Sequence, residues 1–240
     1  MPLLFVPRPG RAILRALLAC AIIFNTTAIL TRPTKSMVIM LDPAGDAQHT
    51  GRLIDDSFER GIALQCAEEL KLKIESITNN TRVILTRFPG ETLEPLQSAE
   101  FSNRMQADLF ISLHLYQEVE DAPRLSIFAF SYDPMTSFMH RNLKRLTLLP
   151  YDQAYQRSRA TTQRYTELFK KAVQTSSQQP LRAIQGPYSF PFKPLIGVEA
   201  PSFSLELGIA HKDSWRSVVG VLANGVAKIA DKYQNNRSVQ

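Results

Sequence analysis

Three side chains stand where an acid, a base or a metal ligand would be useful, and each also has a quieter explanation. His114 follows the apolar run Leu109-Phe-Ile-Ser-Leu113, so its imidazole emerges where a buried strand is expected to stop. A lone histidine in such a place is more often a hydrogen-bonded cap of the strand than a ligand. Glu59 opens a helical pattern, where the positive end of the helix favours a carboxylate with no further duty. Glu206 lies between Leu205 and Leu207, just before Gly208. If that strand is buried, an unpaired carboxylate is costly and calls for a metal, a cation or a catalytic role. An alternating strand with one wet face also fits. Taken together, Asp42, His114 and Glu206 each end a predicted strand, and Glu59 begins the helix after the first, so all four meet at one rim. Two histidines and one glutamate with an open fourth position make a zinc shell that brings bound water to a pKa of about 7. A further glutamate beside that water can take its proton and pass it to a leaving amine.

The elements that must position these groups read clearly. Met37 to Leu41 is a short apolar run stopped by Asp42-Pro43, the pattern of a buried strand. A loop of small and polar residues, Ala44 to Arg52, follows. From Glu59 to Ile77 the residues Ile62, Cys66, Leu70, Ile74 and Ile77 recur at helical steps. Val83 to Leu85 reads as a strand, Leu96 to Gln106 as a helix, Leu109 to Leu113 as a strand and Leu125 to Tyr132 as another. Tyr165, Leu168, Phe169, Ala172 and Val173 form a helical stripe. Met135 to Tyr155 is read loosely as helical. Five prolines between Pro180 and Pro201 predict an extended loop, with a short strand near Leu195. Phe203 to Leu207 is the last strand, and Trp215 to Tyr233 the closing helix. Alternating strands and helices predict parallel pairing with right-handed crossovers, with function at the strands' carboxyl ends. The expected class is α/β: a mixed, mostly parallel sheet with helices on both faces.

With 240 residues, 44% hydrophobic and 21% charged, the chain fills one core and is too short for two comfortable ones. The net charge of +6 invites a nucleic-acid reading. Arg8, Arg11 and Arg15, however, lie in a leader without acidic residues, and setting them aside halves the surplus, so nucleic acid is not an expected partner. Those arginines, the apolar run Ala16 to Phe24 and the polar stretch after it follow the order of a secretory signal. The run is much shorter than the ~20 residues that span a bilayer. Residues 1–31 are thus expected to be a signal peptide, or an uncleaved anchor that is the only contact with a membrane. Either way the remainder is exported, to the periplasm or cell envelope. Cys20 lies in that run. Cys66 is then the one thiol of the mature chain, a small core residue that excludes a multi-cysteine metal site.

The blocks Val38-Ile-Met-Leu-Asp42-Pro43, Glu59-Arg-Gly-Ile-Ala-Leu64, Ala107-Asp-Leu-Phe-Ile-Ser-Leu-His114 and Pro201-Ser-Phe-Ser-Leu-Glu206-Leu-Gly208 are similar, in order and spacing, to the zinc amidases of the amidase 3 type. The resemblance runs from Met37 to Tyr233. It implies a linker at 32–36, a catalytic domain at 37–234 and a tail at 235–240. It implies one zinc ion and hydrolysis of the amide joining N-acetylmuramic acid to the L-alanine of the peptidoglycan stem peptide. It assigns Glu59 and His114 as metal ligands and Glu206 as the catalytic carboxylate. The sequence departs at the first ligand. The family writes Asp-Pro-Gly-His-Gly-Gly, whereas this chain has Asp42-Pro43-Ala44-Gly45-Asp46, so Gly45 takes the histidine's place. His49, in the same small-residue loop, is the expected substitute, with Asp46 as the alternative and a missing ligand as the third outcome. His140 and His211 match no ligand position and are read as surface residues. The family's arginine before the last strand has no obvious counterpart, and Lys193 is its nearest replacement for substrate contact.

Two functional readings follow from different classes. One is a zinc-dependent peptidoglycan amidase. The other is a wall-binding or regulatory protein that kept the fold and lost the site. A zinc peptidase cutting within the stem peptide shares the site of the first. The segment from Pro134 to Arg157 reads either as a surface helix with a solvated basic face or as an insertion that blocks the cleft until a protein activator removes it. Phe138, Met139, Leu143 and Leu146 would form its apolar face.

Overall fold

Alternation along the strands divides their side chains between two unequal cores. In β1 (Met37–Pro43), Met37, Ile39 and Leu41 face one way and Met40 the other. In β5 (Leu109–Gln117), Leu109, Ile111, Leu113 and Leu115 join the first set and Phe110 the second. In β8 (Ser202–Ile209), Phe203, Leu205, Leu207 and Ile209 continue the first. That larger core is closed by three helices: α1 (Glu59–Ile77), α3 (Arg159–Gln174) and α4 (Arg216–Ser238). The smaller core gathers Met40, Phe110, Phe130, Leu195 and Val198 near α2 (Gln97–Arg104). Asp42, His114 and Glu206 share the parity of Met40 and Phe110, so they stand on the side with the thinner cover.

The computed structural model describes residues 35–94, 96–132, 150–176 and 180–238. The expected leader, His140 and most of the segment from Pro134 to Arg157 lie outside the described residues. Residues 36–240 form one unit. With β4 (Thr81–Leu85), β6 (Arg124–Phe130) and β7 (Ala183–Phe190), the sheet has the order β4-β1-β5-β8-β6-β7. Every neighbouring pair is parallel except β6 with β8. This is the mixed, mostly parallel sheet with helices on both faces that the sequence pattern predicts. No helix among the described residues is long and apolar enough to cross a membrane.

The expected helices form for the reasons their spacing gave. In α1, Ile62, Cys66, Leu70 and Ile74 are all buried, each apolar side chain of this kind contributing about 1.5–3 kcal/mol. The helix stops where the Thr78 hydroxyl returns to the Ile74 carbonyl at 2.7 Å. Four details differ from expectation. The loop Ala44 to Arg52 leads into a small antiparallel pair, β2 (Leu53–Ile54) and β3 (Ser57–Phe58). The proline-rich stretch contains a full strand, β7. It is an edge strand, and Pro187 falls where the register with β6 shifts, so no ladder hydrogen bond is lost. Near Leu195 the chain makes a turn of 3₁₀ helix, Lys193–Leu195, in place of a strand. Strands β5 and β8 also continue past the expected ends, because they pair in register from Phe110↔Ser202 to Gln117↔Ile209. His114 and Glu206 therefore lie within strands, directly opposite each other.

Candidate functional site

The loop after β1 is shaped by a glycine and an aspartate. Gly45 has φ +75°, and a Cβ there would stand 2.8 Å from the Cβ of Arg60 and 2.8 Å from the His49 carbonyl oxygen. Both backbone and space require glycine. Asp46 then turns the chain back. Its Oδ1 accepts the N–H groups of Gln48 (2.8 Å) and His49 (2.6 Å), and its Oδ2 accepts that of Leu93 (3.2 Å). Burial pushes the Asp46 carboxyl up, but these donors and the His49 ring outweigh it and bring it down from 3.8 to about 2. The His49 imidazole lies over the same carboxylate, with Nδ1 3.2 Å from each oxygen and 77% of its side chain exposed.

Behind the loop, Arg87 is buried and holds three carbonyls. Its Nε donates to Pro43 (3.1 Å) and its Nη2 to Ala44 (2.9 Å) and Arg60 (2.8 Å). Desolvation lowers its pKa, opposed by the charges of Asp42 and Asp46. Sequence reasoning missed this residue. The available signal was a cation just beyond an apolar strand, at the edge where Asp42 had been sought.

Glu59 is held from two directions. Gly51, with φ +75°, passes so close that a Cβ would lie 2.7 Å from Glu59 Oε2. That oxygen accepts the Arg52 N–H (3.1 Å). Oε1 accepts the Leu115 N–H (2.9 Å) and lies 3.5 Å from His114 Nδ1. Burial pushes the Glu59 carboxyl up, but the His114 ring and the two backbone donors more than offset it, so it stays below its ordinary value and charged. The other ring nitrogen, His114 Nε2, is 3.1 Å from the Ser112 hydroxyl, which lies 3.2 Å from Asp42 Oδ2. Thr86 donates to Asp42 Oδ1 at 2.7 Å. The Phe192 ring meets His114 edge-on at 5.2 Å.

Glu206 has a partner that the sequence did not announce. Arg52 Nη2 donates to its Oε1 at 2.9 Å, and the guanidinium sits 5.5 Å from the centre of the Tyr116 ring. Tyr116 can lie there because its neighbour across the strands is Gly208, where a Cβ would come 2.8 Å from the Tyr116 hydroxyl. Burial lowers the Arg52 pKa, but the hydrogen bond and charge of Glu206 and the charge of Glu59 raise it above its ordinary value. Arg52 and Glu206 are 154 residues apart, so no local spacing could reveal the pair.

A cleft of about 410 Å³ opens beside His114, lined also by Asp42, Asp46, His49, Lys193 and Ile196 among others. Lys193 is exposed on its wall. His211 is a surface residue, its Nδ1 3.7 Å from Asp55. Of the expected metal ligands, Glu59 and His114 come together. His49 does not join them, because its ring is held on Asp46. Asp46, the alternative, has both oxygens engaged by the loop. Among the described residues no three histidine, cysteine, aspartate or glutamate side chains gather as a metal shell, so the residues in this arrangement do not fit the zinc ion that the resemblance implies.

The sequence profile of the amidase 3 family, N-acetylmuramoyl-L-alanine amidase, matches residues 39–219. The chain belongs to this amidase family. That membership places it among the peptidoglycan hydrolases. Solved amidases share the fold. Ami1 from Mycobacterium smegmatis superposes with a TM-score of 0.57 at 12% identity, covering 83% of this chain and 99% of that one. AmiC2 of Nostoc punctiforme gives 0.54 at 15%, covering 81% and 97%. The catalytic domain of CwlV from Bacillus (Paenibacillus) polymyxa var. colistinus gives 0.52 at 16%, covering 81% and 98%. No curated protein matches.

Proposed function

We propose that the protein hydrolyses the amide bond between N-acetylmuramic acid and the L-alanine of the stem peptide, outside the cytoplasm. The observation that carries the reading is the in-register pair His114↔Glu206, with Glu59 beside the histidine, in a chain whose residues 39–219 match the amidase family. Glu206 is the carboxylate that takes a proton from the attacking water and returns it to the departing amine. Its side chain is 18% exposed, enough to meet solvent at the site. His114, fixed between Glu59 and Ser112, orients the groups around the scissile carbonyl. Lys193 on the wall of the cleft supplies a cation for a substrate carboxylate. The family implies zinc, supplied as a Lewis acid when bound; Glu59 and His114 would be two of its donors, and the third position is lacking here. The peptidoglycan of the envelope is the partner, reached by export through residues 1–31.

A second reading has a specific observation in its favour: Arg52 donates to Glu206 Oε1 and so engages the carboxylate that would have to act as the base. On that reading the protein binds the wall without cutting it. Digestion of purified peptidoglycan followed by mass spectrometry separates the two. The hydrolase releases stem peptides with a free L-alanine amine, and Glu206→Gln abolishes that release while the protein stays folded. Intact muropeptides after prolonged incubation with the wild-type protein would overturn the hydrolase.

A further inference from the structure

The site contains two carboxylates, Glu59 and Glu206, and one residue touches both. The neutral backbone N–H of Arg52 donates to Glu59 Oε2, and its charged guanidinium donates to Glu206 Oε1 while resting over the Tyr116 ring. Each oxygen of Glu59 accepts a backbone N–H group, and the two nitrogens of His114 face Glu59 and Ser112. The third ligand position is closed. Gly45 has no room for a side chain, and His49 is turned onto Asp46. We propose that Arg52 is the resident cation of this site, paired with Glu206 at the rim where a tightly held divalent ion lacks its third ligand. The inference concerns the same site as the hydrolase reading and rests on its placement of Glu206.

Arg52 suits the role physically. A guanidinium stays charged at every physiological pH and is more weakly hydrated than an ammonium, so it tolerates a position against an aromatic face. Half of its side chain is exposed, which leaves it at the rim rather than sealed in the core. Arg52 is on this account a positioning residue: it acts through Glu206.

Metal content and zinc affinity test the assignment. The full chain, purified from zinc-supplemented medium and dialysed, should carry well under one zinc per chain, and a chelator should leave its Tm unchanged. Arg52→Met should bind added zinc tighter by roughly tenfold or more, because the site has lost its positive charge and the Glu206 carboxylate its partner, while Arg52→Lys should stay near wild type. A stoichiometric zinc in the wild-type protein, a Tm that falls with chelator, or equal zinc affinity in Arg52→Met and wild type would overturn it. If Arg52→Met does not fold, the two wild-type measurements decide. The hydrolase reading fails separately. A zinc-poor protein that leaves the wall uncut removes the hydrolase and keeps the assignment. A zinc-loaded protein that cuts the wall does the reverse.

Discussion

Installing the family's histidine at position 45 should harm this protein. Gly45 sits at φ +75°, where any residue with a Cβ loses about 1–2 kcal/mol of backbone energy. Its Cβ would also meet the Arg60 Cβ and the His49 carbonyl oxygen, each at 2.8 Å, where carbon contacts are comfortable only near ~3.5–4.0 Å. Forcing such a group into a packed place costs a further ~1–3 kcal/mol. The two terms together put Gly45→His about 2–5 kcal/mol below wild type. For a domain of this size each kcal/mol lowers Tm by about 2–4 °C, so the melting point should fall by roughly 4–20 °C. Gly45→Ala carries the same Cβ and should fall by a similar amount, which separates the backbone and contact terms from anything the imidazole adds. Thermal unfolding of the three proteins, with and without zinc, is the assay. Wild-type stability for Gly45→His, or a zinc-dependent Tm above that of the wild type, would refute the reasoning, since a bound ion stabilises the state that binds it.

Three further outcomes follow from contacts elsewhere. Asp46 is drawn from 3.8 to about 2 in the folded protein, so its contribution to stability is complete above about pH 4 and lost as the pH falls toward 2; melting curves across that range should show a decline that Asp46→Asn removes. Arg87→Met leaves the carbonyls of Pro43, Ala44 and Arg60 without their donor, at about 1–3 kcal/mol for each left unsatisfied, and faster amide hydrogen exchange confined to 43–52 would report it. Gly225→Val places a Cβ 2.7 Å from the Phe169 ring between α4 and α3, which should cost about 1–3 kcal/mol, and Phe169→Leu in the same chain should recover part of the lost Tm.

The strands and helices were legible because their apolar residues alternate or recur at helical steps over enough length to exclude other readings. Leu109 to Leu113 is a fully buried run, Met37 to Leu41 is buried at every position but Val38, and Ile62, Cys66, Leu70 and Ile74 mark one stripe of α1. Strand β7 was not legible, since an edge strand tolerates Pro187 and exposes Tyr188 and Phe190, leaving neither alternation nor an apolar run. At the site, Glu59 and His114 were found from their positions at the ends of elements and do meet. The role of His49 was inferred from the resemblance, as the nearest histidine to the place that Gly45 takes, in a loop of small residues. Small residues in a loop say that it can bend, not which way, and three N–H groups on Asp46 decide the direction here. Arg52 acts on Glu206 far away in the chain and leaves no local pattern, and Arg87, acting on bare carbonyls, leaves only its place just beyond an apolar strand.

The parallel register that sets His114 opposite Glu206 limits how the gene can change length. Successive residues of a strand alternate sides, so inserting or deleting a single codon upstream within β5 or β8 would send one of the two groups into the large apolar core and bring a leucine to the cleft. Odd-numbered indels inside these strands should therefore be absent from functional descendants, and length variation should collect in the turns, as between Gln117 and Arg124.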